Sequence, residues 1–300
     1  MQPGSASRAY VDRPISDLDL ATEAANEAAR IWRLSDPTLY RTGMNAIFVA
    51  DDTVLRVSAP TVGANASIDL ARFWIDQGVP VPRPAHDDVI VVGGLSVTGW
   101  ERVESSAAPI DWAGVGAVVR RVHDIDPARL PGTVPLPRPS TLPWWDFEAL
   151  CVQVASALDR EARAGIERAI ERHAGWWDID GEVVCHGDVH PGNVIMTARG
   201  PVLLDWDLLC WAPPGWDHGP MMTWASRWGG RAGEYELFAQ GYGRSLLGDA
   251  RAEAFAELRL VAATLLRLLA GIRDPDAMAE AELRLRYWRG EPDAPAWTAQ

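Results

Sequence analysis

Two short, apolar, β-prone runs lie within residues 46 to 57 (AIFVADDTVLRV), and the polar break between them at Asp51 and Asp52 predicts a β-hairpin. Residues 64 to 77 (ANASIDLARFWIDQ) instead bring Ile68, Ala71, Phe73, Trp74 and Ile75 onto a mostly apolar helical face, and Gly78 ends the helix. After VPVPRP, the runs DDVIVV and LSVTGWERV flank Gly93 and Gly94 and form a second hairpin. The order strand, strand, helix, strand, strand describes a small α+β unit over residues 25 to 103.

From residue 110 the period becomes helical. DWAGVGAVVRRVHDI places Val115, Val118, Val119 and Val122 along one side, and a proline-rich loop (LPGTVPLPRPSTLP) follows. A helical stretch from Trp145 to His173 comes next, then a strand (EVVC, 182 to 185) and a hairpin at 193 to 205 with Arg199-Gly200 in its turn. Beyond residue 219 the pattern is helical, and the final EPDAPAWTAQ reads as a loose tail. The expected fold is therefore α+β and bilobed. A small antiparallel-sheet lobe with one helix occupies 1–103, with 1–20 irregular, and a larger, mainly helical lobe occupies 104–300.

Composition narrows the function classes. With 300 residues, 48% of them hydrophobic, and 15 tryptophans, the chain buries a substantial core, where most of the tryptophans are expected. A net charge of −13 argues against a nucleic-acid partner and suits a cationic ligand. Every basic residue is arginine. The start, MQPGSASRAY, lacks the apolar core of a secretion signal, and the greasiest segment, LRLVAATLLRLLAG, is interrupted by Arg259 and Arg267. The expectation is a soluble, cytoplasmic protein without a membrane partner, a monomer or homodimer. Cys151, Cys185 and Cys210 are too few and too scattered for a disulfide framework or a zinc site.

Chemistry concentrates in HGDVHPGN, residues 186 to 193. Its His, Asp and Asn fit the kinase pattern H-R-D-x-x-x-x-N, with Gly187 at the arginine position. Asp188 is then the carboxylate that accepts a hydroxyl proton, and Asn193 a metal ligand. A hairpin centred near Arg199 puts Asn193 opposite Asp205, with Cβ atoms roughly 5 Å apart, close enough to share a hard cation. His186 and His190 have the spacing of zinc ligands on a helix, but Gly187 and Pro191 forbid the helix. Cys185 and His186, adjacent on a strand, point to opposite faces and make no nucleophile-base pair. Asp207 is either a third metal ligand or an exposed acid.

HGDVHPGNVIM, LLDWD and PPGWD together resemble the aminoglycoside phosphotransferase and choline kinase superfamily, whose fold is protein-kinase-like. DDTVLRV, GVPVPRP, TGWERV and VRRVHDI have counterparts there in the same order. The resemblance implies Asp188 as base, Asn193 and Asp205 as Mg2+ ligands, Asp217 as a brace of the catalytic loop, and His186 and His190 as loop-shaping residues. It implies a purine-binding hinge at Glu101, Arg102 and Val103. It also implies a phosphate-cradling turn at Thr42 to Asn45, where Gly43 and Asn45 suit a positive φ. The kinase lysine is replaced by Arg56 in VLRV, whose permanent charge and planar fork suit phosphate oxygens. The glutamate that should pair with that cation is replaced by Ser67. Asp69, two residues on, is turned away by about 200° around the helix.

The implied reaction moves the γ-phosphoryl group of ATP or GTP to a hydroxyl of a small, cationic molecule, foremost an aminoglycoside or related antibiotic. Asp207, Trp206 and Glu234, with Glu236, Glu253 and Glu257, are the candidates for contacting it. A choline-like or sugar kinase and a nucleotide-binding pseudokinase are the alternatives. A protein kinase is disfavoured, because only about a dozen residues separate Asp205 from the PPGWD aspartate.

Overall fold

The protein is described here by a computed structural model covering residues 13–178 and 182–298. Residues 1–12 of the expected irregular start, including MQPGSASRAY, lie outside the described residues. In chain order the elements begin with α1 (Leu18–Trp32), β1 (Thr38–Thr42), β2 (Ala46–Ala50), β3 (Thr53–Ser58) and α2 (Asn65–Asp76). Then come β4 (Ile90–Val92), β5 (Leu95–Glu101), α3 (Trp112–His123), α4 (Phe147–Gln153), α5 (Arg160–Arg172) and β6 (Val183–Cys185). The chain continues with β7 (Val194–Thr197), β8 (Gly200–Leu203), β9 (Cys210–Ala212), α6 (Gly215–Met222) and α7 (Trp224–Arg227). It ends with α8 (Glu234–Tyr242), α9 (Ala250–Gly271) and α10 (Pro275–Trp288).

Two compact units result, and they do not follow chain order. The first comprises residues up to Asp111 together with Ile125–Pro137 and Asn193–Leu209; the second comprises Trp112–Asp124, Arg138–Gly192 and Cys210 onward. The boundary expected after residue 103 is thus crossed twice by segments that pack with the first unit.

The first unit is built on an antiparallel sheet in the order β1-β2-β3-β5-β4. Both expected hairpins are present, and Arg56 pairs with Thr98 across β3 and β5. Inward-facing Phe48, Leu55, Val57 and Val97 meet α1, whose buried face is Ala21, Ala24, Ala25, Ala28 and Ala29. Asp17 caps that helix by accepting from Leu20 N, and Arg33 ends it in the left-handed region. No apolar period announces α1, because an alanine face contrasts weakly with its polar neighbours.

The second unit is mainly helical. The expected helix from Trp145 to His173 is two helices, since Asp159 starts α5 afresh by accepting from Ala162 N. The C-terminal segment is not a loose tail. Trp297 is 2% exposed and packs edge-on to Trp228, while the Thr298 amide and hydroxyl both donate to Glu280. Among the described residues no helix is long and apolar enough to cross a membrane.

Candidate active site

In the second unit, β6 delivers the chain to the quoted loop. Gly187 takes φ +88, a left-handed conformation that bends the loop sharply at the position where the kinase pattern carries arginine. The bend directs two backbone amides at Asp217 near the start of α6. Asp217 Oδ2 accepts from His186 N at 2.8 Å and Oδ1 from Gly187 N at 2.7 Å. His123 Nε2, on α3, lies 3.0 Å from Asp217 Oδ2, and its Nδ1 lies 2.9 Å from the Tyr242 hydroxyl. Burial alone would raise the Asp217 carboxyl, yet His123, His186 and Gly187 together hold it below the usual carboxylate range. His186 is buried, and its Nδ1 accepts from Asp188 N at 3.2 Å. Asp217 therefore braces the two residues immediately before Asp188, and His186 fixes the amide of Asp188 itself.

Sequence reasoning missed the partner of Asp188. Arg259, on α9, forms an ion pair with Asp188 through Nη2 and Oδ1 and donates from Nη1 to the Gly187 carbonyl at 3.0 Å. Its guanidinium also lies 6.0 Å from the Trp145 ring centroid. Burial draws the Arg259 pKa down to about 10, so it remains charged at neutral pH. The loop has no arginine of its own, and α9 supplies one. The signal was present in the sequence: a charge inside the apolar run LRLVAATLLRLLAG demands a buried partner. His190 stands 3.4 Å from Asp188 Oδ2 and accepts from Gly192 N at 3.1 Å, which keeps the loop closed on itself.

In the first unit, the hairpin of β7 and β8 is shifted by one residue from expectation. Its pairs are Thr197 with Gly200 and Val194 with Leu203, so Asn193 meets Leu204, whose N donates to Asn193 O at 2.9 Å. The turn is Ala198-Arg199, closed by Thr197 Oγ1, which accepts from Arg199 N and donates to Gly200 O. Asp205 is the next residue and takes φ +59, a left-handed conformation that aspartate tolerates better than most. Asn193 is 7% exposed. Its carboxamide and the Asp205 carboxylate are the hard oxygen donors suited to magnesium.

Arg56 has an acidic partner after all. Its Nη2 forms an ion pair with Asp207 Oδ2, with side-chain exposures of 18% and 11%. Burial pushes the Asp207 carboxyl up and Asp205 adds to this, while Arg56 and the Asn45 side chain pull it down. Ser67 donates to Ala64 O at 3.0 Å and lines, with Arg56, a cavity of about 10 Å³. Asp69 is engaged elsewhere, accepting from the Thr133 hydroxyl at 2.7 Å. In the turn, Gly43 N donates to Asn45 O at 3.0 Å, and neither Gly43 nor Asn45 adopts a positive φ. At the hinge, Glu101 N donates to Arg83 O and Arg102 N to Asp52 O, both at 2.8 Å, so these two amides are spent within the unit.

Most of the residues expected around an acceptor make other contacts. Trp206 packs on Trp74 with centroids 4.9 Å apart, and Asp207 belongs to Arg56. Glu234 accepts from Arg231 N, Glu253 from Gly248 N, and Glu257 pairs with Arg172 and lies 2.7 Å from His173 Nε2. The tryptophans expected in the core are there: Trp145, Trp176 and Trp216 cluster with Phe147 and Phe255.

The profile of the phosphotransferase enzyme family matches residues 45–261, a span that contains Arg56, Asp188, Asn193, Asp205, Asp207, Asp217 and Arg259. No curated protein sequence matches the chain. Among solved structures, it is similar to a spectinomycin phosphotransferase in complex with ADP and spectinomycin, at 17% identity, TM-score 0.65, covering 94% of this chain and 96% of that one. A choline/ethanolamine kinase family protein from Mesorhizobium loti gives 18% identity, TM-score 0.64, and coverage of 91% and 94%. An amicoumacin kinase in complex with AMP-PNP, Ca2+ and Ami gives 12% identity, TM-score 0.67, and coverage of 94% and 98%.

Proposed function

The chain belongs to the phosphotransferase enzyme family, and we propose that it transfers the γ-phosphoryl group of ATP or GTP to a hydroxyl group of a small molecule. The observation that carries this is the bracing of Asp188: Asp217 fixes the amides of His186 and Gly187, and His186 fixes that of Asp188. Phosphoryl transfer asks a protein mainly for positioning, and a carboxylate held this firmly is what a hydroxyl acceptor needs.

Each residue has a role in this reading. Asp188 takes the proton of the acceptor hydroxyl as that oxygen bonds to the γ-phosphorus and the bond to the β,γ-bridging oxygen breaks, releasing ADP or GDP. Asn193 and Asp205 would hold magnesium, which when bound neutralises charge on the phosphates. Arg56 binds phosphate oxygens, and at the hinge Val103 or a backbone carbonyl meets the purine, since the amides of Glu101 and Arg102 are engaged.

Aminoglycosides and other amino-sugar antibiotics are the first acceptor class, on the strength of the resemblance and of neighbours crystallised with spectinomycin and Ami. One observation favours a second class. The charged Arg259 beside Asp188 repels a polycation, and Asp207, Glu234, Glu253 and Glu257 make other contacts. Hydroxylated acceptors with a carboxylate or no charge therefore belong beside antibiotics and choline-like amines. A coupled assay of ADP and GDP release over these panels tests the reading. Acceptor-dependent release that requires magnesium supports it. Nucleotide binding with no release on any acceptor favours the pseudokinase alternative.

A further inference from the structure

We infer that Asp207, and not a residue of α2, is the acid that positions Arg56 for the nucleotide's phosphates. This rests on the proposed phosphotransferase reading, in which Arg56 takes the part of the kinase lysine. That lysine is ordinarily set by a glutamate on the helix that follows its strand. Here the helix cannot do so. Ser67, at the glutamate position, bonds its own helix terminus at Ala64 O. The space it shares with Arg56, about 10 Å³, holds a water at most. Asp69 is tied to Thr133.

Asp207 gathers the residues the helix leaves without an anchor. Its carboxylate pairs with Arg56 of β3 and is hydrogen-bonded by the side chain of Asn45, in the turn assigned to the phosphates. An arginine is a long, flexible side chain whose ordering costs entropy at each encounter with a ligand. Pairing with a nearly buried carboxylate settles that cost before the nucleotide arrives. Asp207 stands two residues beyond Asp205, so the cation is coupled to the metal-binding segment and not to α2. The same pairing argues against Asp207 as a third metal ligand.

The test is a double-mutant cycle of Arg56→Met, Asp207→Asn and the double variant. It is read by calorimetric binding of MgADP and MgGDP, by the Mg2+ concentration giving half-maximal nucleotide binding, and by melting temperature as a check of folding. The expected result is a loss of affinity of about tenfold for each single variant, with the double no weaker than Arg56→Met alone, because Asp207 acts through Arg56. Asp207→Glu should recover part of the loss, and the half-maximal Mg2+ concentration should not move. Multiplying losses, wild-type affinity in Asp207→Asn, or a raised Mg2+ requirement in that variant would each overturn the inference. A variant that melts early is replaced in the cycle by Asp207→Ser or Arg56→Gln, judged by the same coupling. If the wild type binds neither nucleotide, the phosphotransferase reading fails at once, an outcome distinct from any pattern among the variants.

Discussion

A guanidinium set against a carboxylate fixes the direction of its oxygens. Arg259 fixes the direction of Asp188, so Arg259→Met should lower kcat by about 10²-fold, with the nucleotide KM nearly unchanged. A loss confined to nucleotide KM would contradict that role. His218 shows the opposite kind of buried group. Burial lowers its pKa from 6.5 to about 3, so the folded protein keeps it neutral where the unfolded chain would protonate it. Stability is therefore expected to fall as pH drops from 6.5 toward 3, by at most about 1.4 kcal/mol per pH unit from this residue. Urea titrations at pH 7, 5 and 4 should give a flatter dependence for His218→Asn, and parallel curves would refute the assignment. At this scale the loop was legible, because HGDVHPGN carries its own spacing. The partners Arg259 and Asp207 were not, because each lies far along the chain from the residue it holds.

Helices and hairpins were read well wherever large apolar side chains set the period, as in α2, α3 and the β2-β3 hairpin. α1 was invisible because its buried face is alanine. The one-residue register error in β7-β8 came from the turn: period two fixes the faces of a strand, whereas the loop length fixes its pairing. Small residues carry a different message at the contact of α3 and α8. A Cβ on Gly241 would lie 1.8 Å from the Ala113 carbonyl oxygen, and one on Gly116 would lie 2.0 Å from that of Phe238. The two helices approach backbone to backbone at both ends of this contact. Gly241→Ala should therefore cost about 2–3 kcal/mol in chemical denaturation, despite alanine's better helix propensity. Stabilisation by up to about 1 kcal/mol would mean that propensity decides and the helices yield.

On the scale of the whole molecule, the chain assembles two units from six segments, so motifs adjacent in sequence serve different bodies: Asp188 belongs to one and Asn193 to the other. Local patterns could place the strands and helices but not this division, which depends on contacts between distant segments. The C-terminal segment shows the same limit. Proline and glycine-poor polarity suggested a free tail, yet Trp297 and Thr298 fasten it to α10 through Glu280 and Arg284. Trp297→Ala should cost about 3–5 kcal/mol in denaturant unfolding, and a loss under about 1 kcal/mol would show the segment to be dispensable. The acidic surface, with its net charge of −13, offers no guide to the acceptor, because Glu234, Glu253 and Glu257 are engaged by backbone amides and Arg172. Asp188 is the residue on which the proposed transfer depends. With any acceptor that the release assay identifies, the rate of acceptor-dependent phosphoryl transfer by Asp188→Asn should be compared with that of the wild type at saturating Mg2+ and nucleotide. A fall of about 10²- to 10⁴-fold in kcat with MgADP binding retained is the expected result, and equal rates for the two proteins would contradict the assignment of Asp188 as base.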